Sequence, residues 1–183
     1  MGVLGVTDFR LGEIQAGVVK LGWASAIPAK HAAAAELLVP HFHKKDLPLF
    51  ATFRTEAGLE LTPVARDRVL ARFLEEHGSR YVLFAAVVMG DHAHVVLQAT
   101  QAERGWPFDL GSILTSLKEG SALEARKCLG GNAPVWQDET FTVELRSQEI
   151  LDDKCEFVRQ NPVRSRVVKK PEDYAWLWLS ARM

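Results

Sequence analysis

The 183-residue chain is poor in several residue types that would define common protein classes. It has two cysteines, Cys128 and Cys155, far apart and without C-x-x-C spacing, so neither a disulfide framework nor a zinc ribbon is expected. No apolar run is long enough for a membrane-spanning helix. The start lacks a basic leader, and Val6 stands where a myristoylation signal requires Ser or Thr. These features make reduced thiols and a cytoplasmic location the expectation. Charge of one sign is also missing. The formal net charge is −1, so any affinity for phosphate must come from a local patch. Tyrosine is scarce as well: Tyr81 and Tyr174 are the only two.

What is present suits a globular domain. Hydrophobic residues make up 48% and charged residues 25% of the chain, enough for one packed core. Residues 1–46, rich in Ala, Gly and Val, read as a separate N-terminal extension of unknown role. Within it, 29–39 is expected to be a short helix between Pro28 and Pro40. The triplet His41-Phe42-His43 follows, without a strand pattern to orient it.

From Leu47 to the end at residue 183 the pattern is that of one domain. A strand is expected at Leu49–Thr55. Thr62-Pro63 then opens a helix with Val69, Leu70, Phe73 and Leu74 on its apolar stripe, and Gly78 ends it. Tyr81–Met89 reads as a buried strand, Gly90-Asp91 as a tight turn, and His92–Thr100 as the antiparallel return. A long helix over Leu110–Leu129 is stopped by Gly130-Gly131. A short strand over Phe141–Leu145 precedes a last helix, capped by Ser147 and expected to run to about Gln160, because Pro162 disfavours helical geometry at Asn161. The order predicts an α+β, ferredoxin-like split β-α-β sandwich, an antiparallel sheet with helices on one face.

Two segments carry candidate chemistry. In Met89-Gly90-Asp91-His92-Ala93-His94, strand alternation projects His92 and His94 to the same side and Ala93 to the other. Two imidazoles on one face suit a divalent cation; they also suit two histidines satisfied by backbone carbonyls. In Cys155-Glu156-Phe157-Val158-Arg159-Gln160-Asn161-Pro162, Phe157 and Asn161 are four apart and share a helix face. Asn161 reads either as a carbonyl ligand or as a helix terminator before proline. Arg159, Arg164, Arg166, Lys169 and Lys170 form a basic stretch free of acidic residues, suited to phosphate contacts or to solvation alone. Trp136, Trp176 and Trp178 are candidates for base stacking or for packing.

Met89 to His94, then Val135-Trp136-Gln137, then Phe157 to Arg164 with Val167-Val168, and Pro171-Glu172-Asp173-Tyr174, occur in an order that resembles the REP-associated tyrosine transposases. The resemblance covers about Leu47 to Trp176. It implies a His-hydrophobic-His nuclease domain for single-stranded or hairpin DNA, with Mg²⁺ or Mn²⁺ held by His92, His94 and Asn161. It places the nucleophilic tyrosine of that family at Phe157, which has no hydroxyl and cannot attack phosphorus. Asp91 stands where the family often has Asn. The implied function is transposase-like DNA binding with doubtful strand cleavage. The alternatives are a non-catalytic hairpin-binding protein and a metal-dependent phosphoesterase that uses water.

Overall fold

The computed structural model describes residues 47–101 and 106–181. The expected extension 1–46, its helix over 29–39 and its triplet His41-Phe42-His43 lie outside them. The described chain runs β1 (Leu49–Thr55), α1 (Pro63–Glu75), β2 (Tyr81–Val88), β3 (His92–Ala99), α2 (Leu110–Leu129), β4 (Trp136–Glu144), α3 (Gln148–Arg164), a 3-10 turn (Pro171–Asp173) and β5 (Leu177–Leu179). The five strands form one antiparallel sheet in the order β4-β1-β3-β2-β5. This is the expected α+β split β-α-β arrangement with one added edge strand.

The helix starts follow from side chains that satisfy free N–H groups. Thr62 Oγ1 accepts from Ala65 N–H, Asp109 from Ser112 and Ser147 from Ile150. Gly130 and Gly131, at φ 72° and 105°, end α2 in a conformation disfavoured for residues with a Cβ.

Strand alternation divides the interior in two. Ala51, Phe53, Leu83, Val88, Val95 and Leu97 face α1 and α2 and pack with Leu70, Phe73, Ile113 and Leu117. Phe50, Val82, Val87 and Val96 face the other way and pack with Leu151, Cys155 and Val158 of α3. Strand β2 is covered on both sides, which explains its near-continuous apolar sequence. The two crossover helices thus share one face, as expected. The helix that follows the repeat covers the opposite face, and this second layer contains the candidate site.

Two element bounds differ from expectation by several residues, and one strand was not expected; strands β2 and β3 each end one residue early. Strand β4 begins at Trp136, five residues before the expected start at Phe141, because its first half alternates weakly but still pairs with β1 through a register shift near Phe53 and Thr55. Strand β5 pairs only three residues with β2, too few for a periodic signal. Helix α3 continues through Pro162 to Arg164. Proline removes one N–H but keeps a helical φ, and its carbonyl accepts from Val167 N–H at 2.9 Å, closing the helix end beyond it. Among the described residues, no helix is long and apolar enough to cross a membrane.

Candidate metal and nucleic-acid site

The site begins at the β2–β3 turn. Met89 N–H donates to His92 carbonyl at 2.7 Å, closing the turn at Gly90-Asp91. The Asp91 carbonyl accepts from Thr55 N–H at 2.9 Å and from the Thr55 hydroxyl at 3.0 Å. The end of β1 thereby holds Asp91, the residue just before β3, in place. His92 and His94 project to the α3 side of the sheet with ring centroids 4.7 Å apart, and Ala93 is buried in the other core.

Each imidazole is anchored through the same nitrogen. His92 Nδ1 lies 2.6 Å from Asp91 Oδ1, and His94 Nδ1 lies 2.9 Å from Thr52 Oγ1. A carboxylate only accepts, so His92 donates from Nδ1, and Nε2 is the nitrogen that Asp91 does not engage. The Thr52 hydroxyl can accept from His94 in the same way. This second-sphere pattern orients metal-binding histidines. Burial first, then the positive charges of His92, Arg54 and Lys154, push the His94 pKa down to about 3, so the ring is neutral and able to ligate near pH 7. Burial alone would raise the Asp91 carboxyl. The His92 hydrogen bond and charge, with Arg54, outweigh it and hold Asp91 below the ordinary carboxylate range.

Helix α3 brings Phe157 against this pair. Its ring centroid is 5.4 Å from that of His94 and 5.9 Å from that of Phe50, the latter edge-to-face. Lys154 Nζ lies 5.4 Å and the Arg164 guanidinium 4.9 Å from the Phe157 centroid. Asn161 follows one helical turn on and is buried. Its side-chain oxygen has no hydrogen-bond partner among the described residues. An unpaired buried carbonyl costs about 1–3 kcal/mol, and a cation would satisfy it. No group of three His, Cys, Asp or Glu residues suited to a metal occurs among the described residues. The expected ligands, two imidazoles and one amide oxygen, are by their chemistry a mixed N/O donor set of a kind that Mn²⁺ or Mg²⁺ accepts.

The expected DNA contacts divide into two groups. Arg164, Arg166, Lys169 and Lys170 are exposed. Arg166 sits just past α3 at φ 58°; its N–H donates to Val163 carbonyl and that of Val167 to Pro162 carbonyl, each at 2.9 Å. Arg159 is engaged by two carboxylates, Glu156 and Glu172, each at 2.8 Å, so its charge is compensated within the fold. Trp136 corrects the sequence reading. It is 4% exposed, its Nε1–H donates to Ser121 Oγ at 3.0 Å and its ring packs on Phe53, so it is a core residue and offers no face to a base. Trp176 is similarly engaged, donating to Asp67 Oδ1 at 2.7 Å beneath Arg66, and Trp178 packs on His77.

Neither tyrosine offers a free hydroxyl for the nucleophile that the sequence resemblance leads one to expect. The Tyr174 hydroxyl donates to Val88 carbonyl at 2.8 Å and accepts from Arg66 at 3.2 Å. The Tyr81 hydroxyl donates to Phe73 carbonyl at 2.8 Å, and burial pushes its pKa well up. Both are structural. Sequence reasoning missed Thr52, Arg54 and Lys154. The alternation of β1 puts Thr52 and Arg54 on one face, but only the register with β3 places them opposite His94 and His92.

No protein-family model matches the chain, and neither does any curated protein. Among solved structures, a REP-associated tyrosine transposase bound to a REP hairpin is similar, at 16% sequence identity and a TM-score of 0.56. The match covers 76% of this chain and 81% of that one, so the two share a fold over most of their length.

Proposed function

We propose that this chain is a transposase-like protein that binds hairpin or single-stranded DNA. In this reading it holds Mg²⁺ or Mn²⁺ at His92, His94 and Asn161 and has lost tyrosine-dependent cleavage. One observation carries the reading: Phe157 packs on His94, and the unpaired Asn161 oxygen follows one turn along the same helix face. The fold shared with a hairpin-bound transposase supports DNA as the partner.

A cation at this site supplies Lewis acidity to a backbone phosphate. The chain's own residues orient and hold. Asp91 and Thr52 fix the imidazoles, His94 stays neutral, and Arg164 offers a guanidinium above Phe157. Phe157 keeps the aromatic packing of the site and supplies no nucleophile, so the DNA strand is held intact.

The test is incubation of a labelled DNA hairpin, carrying a single-stranded tail, with Mn²⁺ and the unaltered protein or Phe157→Tyr. Salt-sensitive binding without a covalent adduct is expected for the unaltered protein, and an adduct for Phe157→Tyr. An adduct with the unaltered protein would overturn the loss of cleavage. Cleavage without an adduct would instead assign the nucleophile to water.

A further inference from the structure

Two cations lie near the histidine pair, and neither forms an ion pair with a carboxylate among the described residues. Arg54 lies directly opposite His92 in the antiparallel β1–β3 ladder, and residues so paired project to the same face. Thr52, two positions earlier, reaches His94 on that face, which fixes the direction of Arg54 as well. Arg54 is exposed and makes no ion pair or hydrogen bond with another described residue. Lys154 projects from α3 with Nζ 5.1 Å from the Phe50 ring and 5.4 Å from the Phe157 ring. Aromatic faces hold this ammonium where a carboxylate otherwise would.

No nearby acid forms an ion pair with either. Asp91 feels the Arg54 charge but hydrogen-bonds His92, and Glu156 is taken by Arg159 and Gln160. Asp153 shares the rim of the open hollow of about 540 Å³ formed around Lys154, Phe157 and Arg164, but it forms no ion pair with Lys154.

We infer that Arg54 and Lys154 grip backbone phosphates of a DNA strand beside His92 and His94, setting which phosphodiester lies over the pair. This rests on the DNA-binding reading above and assigns its phosphate grip to β1 and α3, within the site itself. The guanidinium offers a two-pronged contact to phosphate oxygens and the ammonium a point charge, so Arg54 sets geometry and Lys154 adds attraction. Neither is a metal ligand. Both are positioning residues for the strand.

The experiment measures binding of a fluorescein-labelled hairpin with a single-stranded tail, in EDTA, across a salt series. Arg54→Gln and Lys154→Gln are each expected to weaken binding several-fold and to reduce the log–log salt slope by about 0.7–0.9. Arg68→Gln, an exposed cation on α1 across the sheet, is expected to leave both unchanged. Arg54→Lys keeps the slope and loses part of the affinity. Mn²⁺ affinity stays intact in Arg54→Gln, which separates a lost phosphate contact from a collapsed site. Isotherms of Arg54→Gln and Lys154→Gln that superimpose on a salt-dependent unaltered protein overturn this assignment and leave the DNA reading standing. An unaltered protein that binds no hairpin overturns both.

Discussion

Thr52 Oγ1 and His94 Nδ1 meet at 2.9 Å across the β1–β3 ladder, where Thr52 and His94 are register partners. The contact ties the orientation of one imidazole to strand pairing, so the site inherits the rigidity of the sheet. Thr52→Val keeps the branched shape and removes the hydroxyl. Calorimetric titration with Mn²⁺ is expected to show affinity lower by about 10- to 100-fold, with the fold retained. Unchanged affinity would remove Thr52 from the site.

Asn161 presents an opposite trade between stability and function. Its buried oxygen is unpaired, so Asn161→Leu is expected to stabilise the metal-free protein by about 1 kcal/mol in urea melts. On the proposed metal reading, Mn²⁺ is expected to raise the thermal midpoint of the unaltered protein and the same substitution to abolish that rise. A loss of stability in EDTA would show that the oxygen is satisfied in solution.

His94 makes stability depend on pH. Burial, helped by the neighbouring charges of His92, Arg54 and Lys154, holds its folded-state pKa at about 3. The unfolded chain takes up that proton near its ordinary value of about 6.5. Between these values the unfolded state binds more protons, so stability is fully present above about 6.5 and falls as pH drops toward 3. In EDTA, going from pH 7 to pH 5 is expected to remove up to about 2 kcal/mol through this group. His94→Gln flattens that limb of the urea-melt profile, and a profile that stays equally steep would contradict the assignment.

Arg166 adopts a left-handed backbone at φ 58°, a conformation glycine accepts without strain. Arg166→Gly is therefore expected to raise stability by about 1 kcal/mol. If the guanidinium contacts phosphate, the same change weakens hairpin binding and lowers its salt slope. Opposite signs in melting and anisotropy are the expected outcome. A gain in stability with unchanged binding would confine Arg166 to its structural position.

Much of the framework was legible because it depends on neighbours in sequence. Leu49–Thr55 and Leu110–Leu129 have the expected bounds, and Thr62 and Ser147 cap as their spacing predicts. The common face of His92 and His94 follows from a period of two. Trp136 was not legible. Its strand alternates weakly, and its burial depends on Ser121 and Phe53 from distant elements. The passage of α3 through Pro162 was also hidden, since local preference argues against it and the burial of Asn161 and Pro162 overrides that preference.

The sequence alone therefore determined which residue types the site has to work with: two histidines on one strand face, an amide one turn beyond a phenylalanine, and no tyrosine at that position. Those are properties of composition and short-range periodicity. The tertiary structure decided that α3 lies on the histidine side of the sheet, that Phe157 meets His94, and that Thr52 and Arg54 stand opposite the pair. It also turned Trp136 inward and engaged Arg159 with two glutamates. These outcomes depend on strand register and on the face each helix covers, which are set by contacts between residues far apart in the chain.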